Sequence, residues 1–131
     1  MAVKVVLDTN ILISALINEN GKPRKILNLF YDKEIALYFA PDIIEEYKDV
    51  LSRKEFNINS EKIGKVVNAV RRLGIHTEPP KSIIAMRDET DRIFYDTAKA
   101  AKAILVTGNT KHYPTEPFIM LPADFIKSIE T

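Results

Sequence analysis

Val3-Lys4-Val5-Val6-Leu7, followed at once by Asp8-Thr9-Asn10, is the stretch on which the reading of the fold turns. A β-branched run with almost unbroken apolarity suits a strand covered on both faces, as in a parallel sheet. Asp8 closes it. Helical spacing follows from Asn10 to Ile17, and Pro23 opens a second amphipathic stretch through Ile26, Leu27, Leu29 and Phe30. Ile35 to Phe39 is the next strand. Pro41 starts a helix whose Ile43, Ile44, Tyr47, Val50 and Leu51 share one apolar stripe, and Ser60 to Leu73 repeats the pattern with Gly74 as a stop. A short strand is expected from Ile75 to Glu78, before Pro79-Pro80. An alanine-rich helix is expected over Thr90 to Ala103, then strands over Ala103 to Thr107 and Phe118 to Met120, and a last helix over Pro122 to Ile129. Strands alternating with helices specify an α/β fold, a mainly parallel central sheet flanked by helices.

The rest of the composition agrees with one such unit. The chain has 131 residues, 46% of them apolar, enough for the core of one domain over residues 1–131. Lys and Arg total 19 against 18 Asp and Glu, so a formal charge of +1 excludes a polybasic coat or an acidic tail as the main device. Any charged function must be local. The lack of cysteine removes thiolate zinc sites and cysteine nucleophiles and fits a reducing compartment. The apolar run Ile11 to Ile17 falls far short of the roughly 20 residues of a membrane span, so a cytoplasmic protein without a membrane is expected.

Open parallel sheets bind ligands outside the C-terminal ends of their strands. Asp8 and the Thr107-Gly108-Asn109 turn both fall there, from opposite ends of the sequence. Asp8 is either an N-cap for the helix that follows or a ligand facing the crevice. On the helix from Pro41, Glu45 points away from the apolar stripe while Glu46 flanks it, so Glu46 is the one able to face the sheet edge; a boundary glutamate with a wet head is the other reading. Asp88 and Asp91 have the spacing of a carboxylate capping box at the start of the late helix. Asp96, away from Phe94, Ala98 and Ala101, is expected in solvent. Were Asp8, Glu46 and Asp91 to converge, two such charges about 4 Å apart would repel by on the order of 4 kcal/mol at an effective dielectric of 20. A divalent cation would relieve that repulsion, and oxygen donors suit Mg²⁺ or Mn²⁺.

Four segments in this order carry a family resemblance: LDTNILISAL from Leu7, APDIIEEYKDVLSR from Ala40, RDETDRIFYDTAKAAKAILVTGNTKHYP from Arg87 and IMLPADFI from Ile119. The chain resembles PIN-domain ribonucleases, in particular the small prokaryotic group described as toxin components of toxin-antitoxin pairs. The resemblance implies catalytic acids at Asp8, Glu46 and Asp91. The family's fourth acid, two residues after the threonine that ends the late strand, does not carry over, because Asn109 stands there. Asn109 still offers a carbonyl oxygen to a metal, without the charge that would favour a second ion.

The activity so implied is Mg²⁺- or Mn²⁺-dependent hydrolysis of RNA phosphodiester bonds, leaving a 5′-phosphate and a 3′-hydroxyl. Thr9, Asn10 and Ser14 are expected to fix the carboxylates from behind, or else to cap the helix, with Thr107 beside them and Asp88 as a reserve carboxylate. Backbone phosphates would need local cations, and two segments supply them: Lys22, Arg24 and Lys25, and Lys111 with His112. RNA, an antitoxin protein and a second copy of the chain are the expected partners. A PIN-like domain that binds RNA or protein without turnover is the competing reading, kept open by Asn109. A receiver-like phospho-acceptor domain ranks below both, since the strand Ile35 to Phe39 ends in Ala40 and Pro41 rather than in an aspartate.

Overall fold

The computed structural model describes residues 2–130. Along the chain run β1 (Val3–Leu7), α1 (Thr9–Ile17), α2 (Lys22–Tyr31), β2 (Ile35–Phe39), α3 (Pro41–Leu51), α4 (Ser60–Leu73), β3 (Ile75–His76), α5 (Arg92–Ala101), β4 (Ile104–Val106), β5 (Ile119–Met120) and α6 (Pro122–Ile129). The five strands form one sheet in the order β3-β2-β1-β4-β5, and every pairing is parallel. The strand order reverses at β1: the chain leaves it toward β2 and β3 on one side, then returns to place β4 and β5 on the other. The crevice at such a reversal, beyond the C-terminal ends of β1 and β4, is where this architecture exposes backbone ends to a ligand.

The core explains why β1 reads as it does. Val5, Val6 and Leu7 are fully buried, sandwiched between helices on the two faces, while Val3 and Lys4 at the start of the strand are exposed. Burial of these residues, with Leu37, Tyr47, Phe94, Tyr95 and Leu105, removes apolar surface from water at about 25 cal/mol per Å². Gly74 ends α4 at a place where no side chain fits: an added Cβ would lie 2.4 Å from the Val70 carbonyl oxygen and 3.0 Å from the Phe39 ring. Among the described residues no helix is long and apolar enough to cross a membrane.

Three expectations are corrected. The last strand before the prolines is Ile75–His76 rather than Ile75 to Glu78; the Thr77 N–H still bonds the Phe39 carbonyl at 2.8 Å, after which two residues without N–H groups end the ladder. The late helix does not begin at Thr90. Asp88 accepts the Thr90 N–H and hydroxyl, at 3.0 and 2.9 Å, which tightens Glu89–Asp91 into a 3₁₀ turn ahead of α5; Lys102, left-handed at φ 56°, stops that helix short of Ala103. Nor is Asp96 in solvent. The irregular segment 77–88 folds back over its face of α5, so Asp96 is buried and accepts the Ser82 N–H at 3.1 Å. Arg92, also buried, grips the Ser82 carbonyl and hydroxyl at 2.9 Å each and pairs with Glu89 at 2.6 Å. Local periodicity carries no sign of a distant loop covering a helix face.

Candidate active site

Asp8 ends β1 and both of the roles open to it are realised. Its backbone, φ −62° and ψ 149°, is that of an N-cap, and one carboxylate oxygen accepts the Asn10 N–H at 3.3 Å. The other oxygen faces the reversal point and accepts two hydroxyls, from Thr107 at 2.9 Å and from Tyr113 at 2.8 Å. Parallel pairing makes this possible: Leu7 lies opposite Val106, and the Asp8 N–H bonds the Val106 carbonyl at 3.0 Å, so residues 8 and 107 leave the sheet side by side.

Thr107 is the hub. Its fully buried hydroxyl donates to Asp8 and accepts from the Asn10 side-chain amide at 3.3 Å and from the Asn109 N–H at 3.1 Å. Asn10 reaches back as well, its side-chain oxygen accepting the Gly108 N–H at 3.0 Å. Asn10 and Thr107 therefore both bond the Asp8 carboxylate and each other. Thr9 is buried with its hydroxyl unpartnered, and Ser14 is exposed one turn on, with no hydrogen bond from its hydroxyl to these carboxylates. The Asn109 contribution to this network comes from its backbone; the residue is exposed and its side chain makes no capping bond.

Two tyrosines complete the site, and sequence reasoning assigned neither a place in it. Tyr113 is buried against Asp8, and burial together with the Asp8 charge drives its phenol well above the ordinary range, so it stays a hydroxyl donor. Tyr47, read as part of an apolar stripe, also donates to the Leu7 carbonyl at 2.6 Å. That bond fastens α3 to the end of β1 and sets the height of its neighbour Glu46. The signal for Tyr113 was its place in the loop shortly after Asn109; nothing local shows that this loop folds back beneath Asp8.

The remaining acids surround Asp8 without binding to it. Asp91 sits in the 3₁₀ turn before α5, with its side chain only 15% exposed and its Oδ2 buried without a hydrogen-bond partner. Burial first, then the charges of Asp8, Asp88 and Glu46, push its carboxyl up to about 7. Glu46, half-buried on α3, is also raised, by burial and then by Asp49, Asp88 and Asp8 against a lowering from Arg53. Glu45 is exposed and 3.6 Å from Lys48, so the helical phase separates the two glutamates as expected. Asp88 is exposed; its bonds to Thr90 hold its carboxyl below the usual range, which is the capping role.

His112 stands at the mouth, its Nδ1 3.7 Å from the unpartnered oxygen of Asp91. Lys111 beside it lines a neighbouring cavity of about 520 Å³ with Thr110, Glu116 and Asp124. The earlier basic segment lies elsewhere, on α2: Lys25 is 3.5 Å from Glu130, and Arg24 donates to Asn28 at 3.2 Å.

The acids facing the crevice offer oxygen donors, and a buried carboxylate oxygen of Asp91 without a hydrogen-bond partner suits a hard divalent cation. Among the described residues no three His, Asp or Glu side chains close up into a metal-holding group. Mg²⁺ asks for less, since it is commonly held by one or two carboxylates and keeps several waters.

An all-parallel sheet with an acidic crevice at its reversal point defines an α/β domain built for a charged ligand at the ends of β1 and β4. The PIN-domain family model matches residues 4–111, and the chain belongs to that family, a nuclease fold. It is also 37% identical over 110 residues to the uncharacterised protein MJ1680 of Methanocaldococcus jannaschii, an alignment covering 82% of this chain and 71% of the relative.

Proposed function

We propose that this chain is a metal-dependent endoribonuclease that hydrolyses RNA phosphodiester bonds in the crevice between Asp8, Glu46 and Asp91. The observation that carries the reading is the pairing of an Asp8 carboxylate held by Thr107, Tyr113 and Asn10 with an Asp91 whose buried oxygen has no hydrogen-bond partner. Asp8 and Asp91 would hold Mg²⁺ or Mn²⁺, which when bound lowers the pKa of water and offsets charge on the attacked phosphate.

The side chains divide the remaining work. The two hydroxyls on Asp8 hold its carboxylate in one orientation at the crevice. Glu46, held at its height by the Tyr47 bond to Leu7, orients the attacking water. Burial first, then the charges of Asp8, Asp88 and Glu46, raises the Asp91 carboxyl, and a cation held there would favour its charged form. In this reading Asn109 would contribute a neutral oxygen or hold a water, and Lys111 and His112 would meet backbone phosphates. The same reading extends to a toxin acting in the cytoplasm, paired with an antitoxin protein and self-associating.

Purified protein incubated with labelled RNA and Mn²⁺ or Mg²⁺ tests this against Asp8→Asn and Asp91→Asn. Cleavage by the wild type and its loss in both variants is the expected result; wild type no better than the variants across several substrates refutes it. A second reading, RNA binding without turnover, is favoured by Asn109 standing where the family's fourth acid falls. Tighter Mn²⁺ binding by Asn109→Asp is expected if that charge limits the site.

A further inference from the structure

Beyond the far end of α1 lies a cavity of about 240 Å³ lined by Leu16, Glu19, Arg24, Tyr31, Lys62 and Lys65. Three cations from α2 and α4 thus share one concavity with a single carboxylate. Elsewhere on the surface Lys25 pairs with Glu130, Lys48 with Glu45 and Arg53 with Asp49. Among the described residues Arg24, Lys62 and Lys65 stand in no ion pair within 4.0 Å. Arg24 is steadied through Nε by Asn28 at 3.2 Å, which leaves its terminal nitrogens free to face outward.

Uncompensated cations around a concavity focus a positive potential that selects a polyanion. The Tyr31 ring adds a half-buried aromatic wall among those charges, the combination that receives a nucleotide, phosphate on the cations and base on the ring. An acidic peptide would use the cations but has no base to stack. Asp8 begins α1 and Leu16 lies near its end, so the cavity is about 12 Å along the helix axis from the crevice. A single RNA strand of several nucleotides would reach both.

Resting on the nuclease reading, we infer that Arg24, Lys62, Lys65 and Tyr31 form a second contact site for the backbone of single-stranded RNA, apart from the crevice that cleaves it. It acts on strands long enough to span α1 and leaves short ones untouched.

Fluorescence anisotropy with 5′-labelled RNA of 4 and 20 nucleotides, in EDTA and over a series of KCl concentrations, tests this on the full chain. For the 20-mer, the triple variant Arg24→Gln, Lys62→Gln, Lys65→Gln is expected to bind at least about tenfold more weakly at low salt, with a slope of log affinity on log salt shallower by about 2. The tetramer should bind both proteins alike, and an unchanged thermal midpoint would show that the fold is intact. Tyr31→Leu should weaken the 20-mer without changing the salt slope. An unchanged slope in the triple variant overturns the inference; so does equal weakening of tetramer and 20-mer, or polyglutamate displacing the 20-mer from wild type at lower concentration than unlabelled RNA does. The two readings fail separately: wild type that binds the 20-mer with the expected slope yet never cleaves it loses the nuclease reading alone, and cleavage with an unaltered slope loses the second site alone.

Discussion

Asp8 and Asp91 are the same side chain on opposite walls of one crevice, and the protein treats them in opposite ways. The β1–β4 wall saturates Asp8 with an amide and two hydroxyls, on a backbone fixed by parallel pairing. The wall made by the 3₁₀ turn before α5 leaves one Asp91 oxygen buried and unbonded, facing like charges. Hydrogen-bond donors stabilise a carboxylate in place, whereas burial beside like charges raises the pKa of one left without them. The difference teaches that the first wall fixes a carboxylate in position by hydrogen bonds and the second holds a conditional charge.

Breaking either wall should have the largest effect. Asp8→Asn and Asp91→Asn are each expected to lower RNA cleavage on the order of a hundredfold or more, measured as initial rates at saturating Mn²⁺. Removing only the support of Asp8 should do less: Thr107→Val and Tyr113→Phe each take one hydroxyl from it and are expected to weaken metal affinity or activity by about 10- to 100-fold, with Thr107→Ser restoring it. Equal rates in Tyr113→Phe and wild type would show that Asp8 needs no such brace.

The conditional charge makes a prediction about pH. With its folded-state carboxyl near 7 and the ordinary carboxylate value in the unfolded chain, Asp91 keeps a proton in the fold that the unfolded chain has already released. Its contribution to stability therefore falls as pH rises from the ordinary carboxylate range to about 7 and levels off above. Metal-free protein should lose several degrees of thermal midpoint across that window, and Asp91→Asn should flatten the trend. Adding Mn²⁺ should raise the midpoint mainly near and above pH 7.

The loop that shapes the second wall gives a smaller effect. Asp96→Ala leaves the Ser82 N–H without its acceptor and removes one of the two acids beside buried Arg92, which keeps Glu89, and is expected to cost about 1–3 kcal/mol in chemical denaturation. Smallest of all is the helical-phase control, Glu45→Gln, expected within about 0.5 kcal/mol of wild type and with unchanged cleavage, while Glu46→Gln loses activity.

Much of this was legible along the chain. The strand–helix alternation specified a parallel α/β sheet because apolar periodicity is a local property, and β1, β2, α3, α4 and α6 stand where their spacing puts them. Glu46 could be told from Glu45 by 100° of helical rotation alone. Capping by Asp88 was likewise local. Tyr113 beneath Asp8, the Tyr47 hold on Leu7 and the burial of Asp96 were not, because each joins residues brought together by a crossover or a returning loop. The amino-acid order by itself determined which elements form and which acids lie at their ends, since both follow from short-range sterics and solvation. Only the tertiary structure decided which acid is satisfied and which is left bare, because hydrogen-bond partners and desolvation come from chain segments up to about a hundred residues away.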